Sequence, residues 1–365
     1  MISSNHQTVR RLESSFSDYN RAKVPALADC IDKLLFRDFE LNQRLWGWSF
    51  IDNSHTLNIR RPEIGAYSDV AIVIQGGIDS YQLVEFALER YACLYPQTHI
   101  IVSTWSDSSI DALNVVRNIV SHHDHIHLIL NDKPSFKGYG HMNTNLQIVS
   151  TMQGIKLACR LGVSYILKVR SDVVLGSCEF LQTLLVHHQT FTKAVPSSQR
   201  GKIIALSMNS YLCRPFSLSD HLFFGRSEDM LLMWNLKLPI SNSCVREVSV
   251  IPPTGKETEP MSSNDIEHLA WSSKPQMMDE SYLVSRVMNA AGYSYTFDWR
   301  DSKKFIASCF IVLDTASLDV FWPKYGGSLS YSKFRHSSIP NFANSKYGMT
   351  EISFTTWLHW YNNYL

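Results

Sequence analysis

Neither sign of charge dominates this chain: 34 lysines and arginines face 33 aspartates and glutamates, a formal net charge of +1 over 365 residues. A protein held to nucleic acid by a broad basic face needs a cationic excess, so nucleic acid is not an expected partner and any anion site must be local. Cysteine is sparse and poorly placed for cross-links. The seven (Cys30, Cys93, Cys159, Cys178, Cys213, Cys244, Cys309) are scattered, odd in number and never spaced C-x-x-C. That argues against a disulfide framework or a structural zinc site and points to a reducing cytoplasm. No run of about 18 apolar residues occurs, and the opening MISSNHQTVRRLESSFSDYN lacks the apolar core of a signal peptide. A cytoplasmic chain that does not span a membrane is expected. Two nucleotide-binding signatures are also missing. There is no G-x-G-x-x-G and no G-x-x-x-x-G-K-[ST], which sets aside the usual dinucleotide folds and the P-loop enzymes. Without a G-x-S-x-G elbow or a cysteine in a nucleophile setting, hydrolysis through an acyl-enzyme has little support.

What the chain does have is material for a core, with 45% apolar residues. After a polar start, Pro25 opens a helical pattern with Leu27, Cys30, Ile31, Leu34 and Leu35 on one face, which predicts a helical extension over 1–66. From Asp69 the pattern changes to alternating strands and helices. DVAIVIQGG is followed by a helix from Ser80 to Tyr91, THIIVST from Thr98, a helix around Ser109 to Val120, HIHLIL from His125 and a long helix from Thr144 to Leu161. Such alternation predicts a parallel α/β sheet of the Rossmann type. A second half with α+β character follows. It has a helix from Glu179 to His188, strands in KIIALS (202–207) and DHLFFG (220–225), a helix through Met230 and Trp234, an irregular connection over 240–278 and a helix from Asp279 to Ala291. The main domain is therefore expected over 67–320, its halves meeting near residue 176, with a tail over 321–365. Twelve aromatic residues lie in that tail beside Lys324, Lys333, Arg335 and Lys346, with Glu351 as its one glutamate. This composition suits the edge of an anionic membrane; segments of this kind more often cover their own domain.

The stretch Tyr165–Leu175, YILKVRSDVVL, organises the rest. Its apolar run suits a strand covered on both faces, and Lys168, Arg170, Ser171 and Asp172 then fall at or near the carboxyl end, where open α/β sheets bind ligands. Two cations, a hydroxyl and a carboxylate make a set that suits a diphosphate with a divalent cation. The same residues also read as an Arg170–Asp172 salt bridge that closes a strand end. Gln75 and Gly76 end the first strand, where a glycine either admits a ligand to the backbone or simply turns the chain. Asp279 and Glu280 begin a helix, as caps or as a general base for an acceptor hydroxyl. Asp220 and His221 precede LFFG and either orient that acceptor or pair with each other. His122, His123, His125 and His127 have the look of a metal cluster but read as an exposed strand edge, because Asp124 points to the opposite face.

Taken together, VIQGGI (73–78), IVSTW (101–105), NTNLQIVST (143–151), LKVRSD (167–172), SDHLFFG (219–225) and DESYL (279–283) resemble the WavE-type lipopolysaccharide synthesis family. That resemblance implies a GT-A-like glycosyltransferase, with a donor half to about residue 176 and an acceptor half beyond it. It also implies transfer from a nucleotide sugar to a saccharide or lipid-linked acceptor of bacterial surface polysaccharide. LKVRSD takes the place of a D-x-D element, with only the last carboxylate present, so Asp172 is the expected ligand of Mn²⁺ or Mg²⁺. Gln75, Gly76, Asn145, Gln147, Lys168, Arg170, Ser171 and Asp172 are the expected donor contacts. Asp220 and His221 are expected toward the acceptor and Glu280, with Asp279, as catalyst. Two departures are visible: Gly77 stands where the family often has proline, and Leu146 stands where it often has arginine, which removes a phosphate contact. The rivals are a sugar-nucleotide pyrophosphorylase, disfavoured because GGIDSYQ lacks arginine, and a carbohydrate-binding descendant of the fold without catalysis. Peripheral contact with the inner face of the membrane is expected through the tail.

Overall fold

The computed structural model describes residues 67–78, 81–134, 143–212, 214–238, 279–294, 299–322 and 351–365. The expected amino-terminal extension, the connection over 240–278 and most of the tail lie outside the described residues. A seven-stranded sheet in the order β3-β2-β1-β4-β7-β6-β8 forms the centre. Its first four strands are β1 (Val70–Gln75), β2 (His99–Trp105), β3 (Ile126–Asn131) and β4 (Tyr165–Arg170), which pair in parallel as the alternation predicts. β7 (Leu222–Arg226) runs antiparallel to β4, and β6 (Ile203–Leu206) and β8 (Phe310–Leu313) return to the direction of β4. The fold is a mixed α/β architecture with a mostly parallel sheet. β1 and β4 are neighbours at its centre, and their apolar runs are buried throughout except at Arg170. β3, at the edge, is largely half-exposed.

The helices between these strands are α1 (Tyr81–Leu94), α2 (Ile110–Val120) and α3 (Thr144–Arg160). α2 starts where its sequence signals a start, with Ser109 accepting from the Ala112 N–H and Asp111 in the first turn. α1 and α2 pack on each other, while α3 lies against β1 and β2. Gly154 sets that approach, because a β-carbon there would collide with Val73 Cγ1. The second half adds α4 (Phe180–Thr190), α5 (Ser227–Trp234), α6 (Asp279–Ala290) and α7 (Trp299–Cys309). α7 runs directly into β8, so no turn residue in WRDSKKFIASCFIVL marks the boundary.

The described end of the tail, α8 (Phe354–Tyr364), packs on α7 and β8. Trp357 is fully buried and its indole N–H donates to the Phe310 carbonyl at 2.9 Å; Trp360 is buried beside it. In this segment Trp357 and Trp360 fill the domain's own core, and Phe354, Tyr361 and Tyr364 pack half-buried against it. Lys324, Lys333, Arg335 and Lys346, which motivated the membrane expectation, lie outside the described residues. Among the described residues no helix is long and apolar enough to cross a membrane.

Candidate functional site

The carboxyl ends of β1 and β4 meet in register, Gln75 opposite Arg170. Ser171 closes the gap: its N–H donates to the Gln75 carbonyl at 2.9 Å and its hydroxyl to the Gly77 carbonyl at 2.5 Å. Gly76 has φ +119°, open to glycine and strained for other residues, and a β-carbon there would meet Ser171 Oγ at 3.0 Å. The room expected at Gly76 for a ligand is thus taken on that side by Ser171. Below the turn, Gln75 Oε1 accepts from Ser150 Oγ at 2.8 Å, Ser103 Oγ donates to the Ser150 carbonyl at 2.6 Å, and Asn131 Nδ2 donates to Ser103 Oγ at 3.0 Å. This ladder fixes the end of β1 to α3 and β3. Asn145 is buried and Gln147 half-buried in the first turn of α3, where Asn143 makes no side-chain cap.

Arg170 is the centre of the charged group. Its Nε and Nη2 grip Asp172 Oδ1 and Oδ2 at 2.9 and 3.0 Å, and its Nη1 faces the Asp220 carboxylate at 3.2 and 3.4 Å. Burial would lower its pKa, but Asp220 and Asp172 together hold it above the ordinary arginine value. Burial pushes the Asp172 carboxyl up and the Arg170 guanidinium more than reverses this, leaving it at about 2. Asp220 is likewise held well below the usual carboxylate range, with Arg170 and Lys168 outweighing its burial. His221 goes the other way. Burial, then Arg170, depresses it to about 3, so at neutral pH it is an uncharged ring, bonded through Nδ1 to Ser219 Oγ at 2.7 Å.

Lys168 does not reach this surface. It is fully buried, donates to the Asp220 backbone carbonyl and lies 5.2 Å from the Trp234 ring centroid. Burial lowers its ammonium to about 8 against the pull of Asp220. The expected phosphate contact at Lys168 is therefore corrected: its register opposite Val73 and Phe223 puts it inside the sheet packing. Asp220 and His221 are also buried, built into the charged group rather than lining an acceptor surface.

One participant was invisible in the sequence reading. Trp322 donates its indole N–H to Asp172 Oδ2 at 3.1 Å and packs edge-on against His221, ring centroids 4.4 Å apart. Two short strands bring it there: β5 (Val174–Leu175), just past β4, pairs with β9 (Val320–Phe321). No local signal marks Trp322, since its role comes from a pairing between distant segments.

Across the same sheet edge, the 207–221 loop carries Arg214, whose Nη1 lies 3.7 Å from Glu280 Oε1. This loop is anchored from three sides. Ser281 Oγ donates to the Pro215 carbonyl, Ser302 Oγ accepts from the Phe216 N–H, and Ile352 N–H donates to the Ser210 carbonyl. Glu280 is half-buried; Asp279 occupies the first position of α6, and its side chain is outside the described residues. The histidines separate into pairs, His99 with His127 and His123 with His125, with His122 bonded to the Asn118 carbonyl.

The WavE resemblance implies a divalent cation on Asp172. A hard cation wants several carboxylate oxygens with open lone pairs. Asp172 has both oxygens in the Arg170 fork, with Trp322 on one of them, and buried Asp220 turns both of its own toward Arg170. Among the described residues no three His, Cys, Asp or Glu side chains converge on one point. These residues do not fit a divalent cation, so no step is derived through one.

Similar solved structures include a cytidylyltransferase from Leptospira borgpetersenii (13% identity, TM-score 0.29, covering 45% of this chain and 63% of that one). Another is a mannosyltransferase from Pyrobaculum calidifontis in complex with GDP-Man and Mn²⁺ (12%, TM-score 0.29, 44% and 45%). A third is an active-site mutant of LgtC (10%, TM-score 0.30, 44% and 59%). The chain thus covers less than two thirds of each of them. No curated protein sequence matches. The family model for WavE lipopolysaccharide synthesis matches residues 70–365, and the chain belongs to that family.

Proposed function

We propose that this protein is a nucleotide-sugar-dependent glycosyltransferase of GT-A-like organisation. It would move a sugar to a saccharide or lipid-linked acceptor during lipopolysaccharide or capsule synthesis, at the cytoplasmic side of the membrane. The observation that carries this reading is the Arg170–Asp172–Asp220 charge group at the carboxyl end of β4, beside the β1 turn, in a chain of the WavE family. Ligands of open α/β sheets bind at that edge. Arg170 would meet the donor diphosphate. Glu280, on the acceptor side, would take the proton from the acceptor hydroxyl as its oxygen attacks the anomeric carbon and the bond to the diphosphate oxygen breaks. Attack from the face opposite the leaving group inverts that carbon.

The test is to incubate the purified chain with UDP-, GDP-, CDP- and dTDP-sugars and lipopolysaccharide fragments, and to measure nucleoside diphosphate release with glycan mass. Sugar added to a fragment supports the reading. Fragment binding with no transfer across the panel would leave a carbohydrate-binding protein without catalysis.

A further inference from the structure

The cation at this strand end is already part of the chain. Arg170 is anchored from behind by two carboxylates, Nε and Nη2 on Asp172 and Nη1 on Asp220, and its side chain is 20% exposed. A guanidinium carries five N–H groups, and these four bonds leave one, on Nη2, to meet a ligand. Gln75, opposite in the register, is buried with its amide oxygen held by Ser150 Oγ, so of the two it is Arg170 that is part-exposed. A dication at Asp172 would have to displace the guanidinium or sit beside it, and like charges at such range disfavour each other.

We infer that the site binds the diphosphate of its nucleotide donor without a divalent metal, with the Arg170 guanidinium standing where a D-x-D enzyme places its cation. This inference rests on the donor reading proposed above. Two cations (Lys168 and Arg170) and two carboxylates (Asp172 and Asp220) sum to zero, so attraction comes from directed N–H bonds to phosphate oxygens, not from net charge. Asp172 is then a positioning residue that aims Arg170. Trp322 acts through Asp172, fixing its orientation from the β9 side.

The experiment titrates the full chain calorimetrically with UDP, GDP, CDP and dTDP, once in EDTA and once in MnCl₂, and follows Mn²⁺ alone by electron paramagnetic resonance. The nucleotide that binds is expected to do so with Kd equal within about threefold in the two buffers. Arg170→Lys should weaken it about tenfold in both, because an ammonium cannot reproduce the fork. The Mn²⁺ titration should be the same for wild type and Asp172→Asn. Nucleotide binding seen only with Mn²⁺, or a stoichiometric Mn²⁺ site lost in Asp172→Asn, overturns the inference and leaves the donor reading standing. Failure of all four nucleotides in both buffers overturns the donor reading, and the inference with it. Melting curves accompany each variant; should Arg170→Lys not fold, the wild-type comparison and the Mn²⁺ titration decide alone.

Discussion

Trp322 and Asp172, 150 residues apart, are joined by one indole N–H···carboxylate bond of 3.1 Å. The bond ties the end of β9 to the end of β4 and completes the set of donors around Asp172. Trp322→Phe keeps most of the apolar ring and removes the donor. A hydrogen bond to a charged group is worth about 1.5–3 kcal/mol, so urea unfolding should show a loss on that order. An unfolding midpoint equal to wild type would mean that the indole contributes only its ring packing.

Acid should weaken the protein well before Asp172 and Asp220 protonate. Burial holds His221 at about 3 and His188 at about 4, whereas both return to about 6.5 when unfolded. Between those values the unfolded chain binds protons that the folded chain refuses, so stability falls as pH falls, by about 1.4 kcal/mol per unit for each group. Asp229 opposes them. Raised by burial to about 6, it stabilises the fold increasingly as pH drops from there toward its unfolded value of 3.8. Two histidines less one aspartate leave a net slope of about one proton, about 1.4 kcal/mol per unit, between about pH 6 and pH 5. Denaturation midpoints across this range check it, and His221→Asn should remove one proton's worth of slope. A flat profile in the wild-type chain would refute the buried neutral histidines.

The strands β1 to β4 were legible because each is a short apolar run bounded by turn residues, and burial on both faces writes that run directly into the sequence. Arg170 and Asp172 were legible as a pair at a strand end. The direction of β7 was not, since DHLFFG reads the same in either orientation. α7 and β8 were missed because helix and strand abut within FIASCFIVL, and α8 was missed because its aromatic residues suggested an interface. Lys168 misled for a physical reason: a cation two residues before Arg170 suggests a shared ligand, yet its alkyl chain and ammonium are accommodated inside by a carbonyl and an indole face.

Gly154 gives a check on the packing of α3. Helix propensity alone favours alanine over glycine by about 1 kcal/mol. Against this, the added methyl would overlap Val73 Cγ1 at the centre of the sheet, and overpacking costs about 1–3 kcal/mol. Gly154→Ala should thus be destabilising on balance. Chemical denaturation that shows the variant more stable than wild type would place α3 further from β1 than described.

In the proposed function, Glu280 is the residue that would separate catalysis from binding. It is the second residue of α6, and its carboxylate faces Arg214 of the 207–221 loop, the segment that also delivers Asp220 and His221 to the charge group. A base here would approach the acceptor from the second half of the domain while Arg170 holds the leaving diphosphate at the end of β4. Glu280→Gln keeps the size and much of the hydrogen bonding of the side chain but cannot accept the proton. Nucleoside diphosphate affinity should survive while turnover falls by about a hundredfold or more, the lower end of general-base catalysis. Asp279→Asn, one position earlier in the sequence, is the matched control, with a smaller expected loss. Affinity and turnover must be measured on the same preparations, because a distorted 207–221 loop would weaken both together. If Asp279→Asn is dead and Glu280→Gln normal, the roles are exchanged; if both turn over normally, the base lies off this helix.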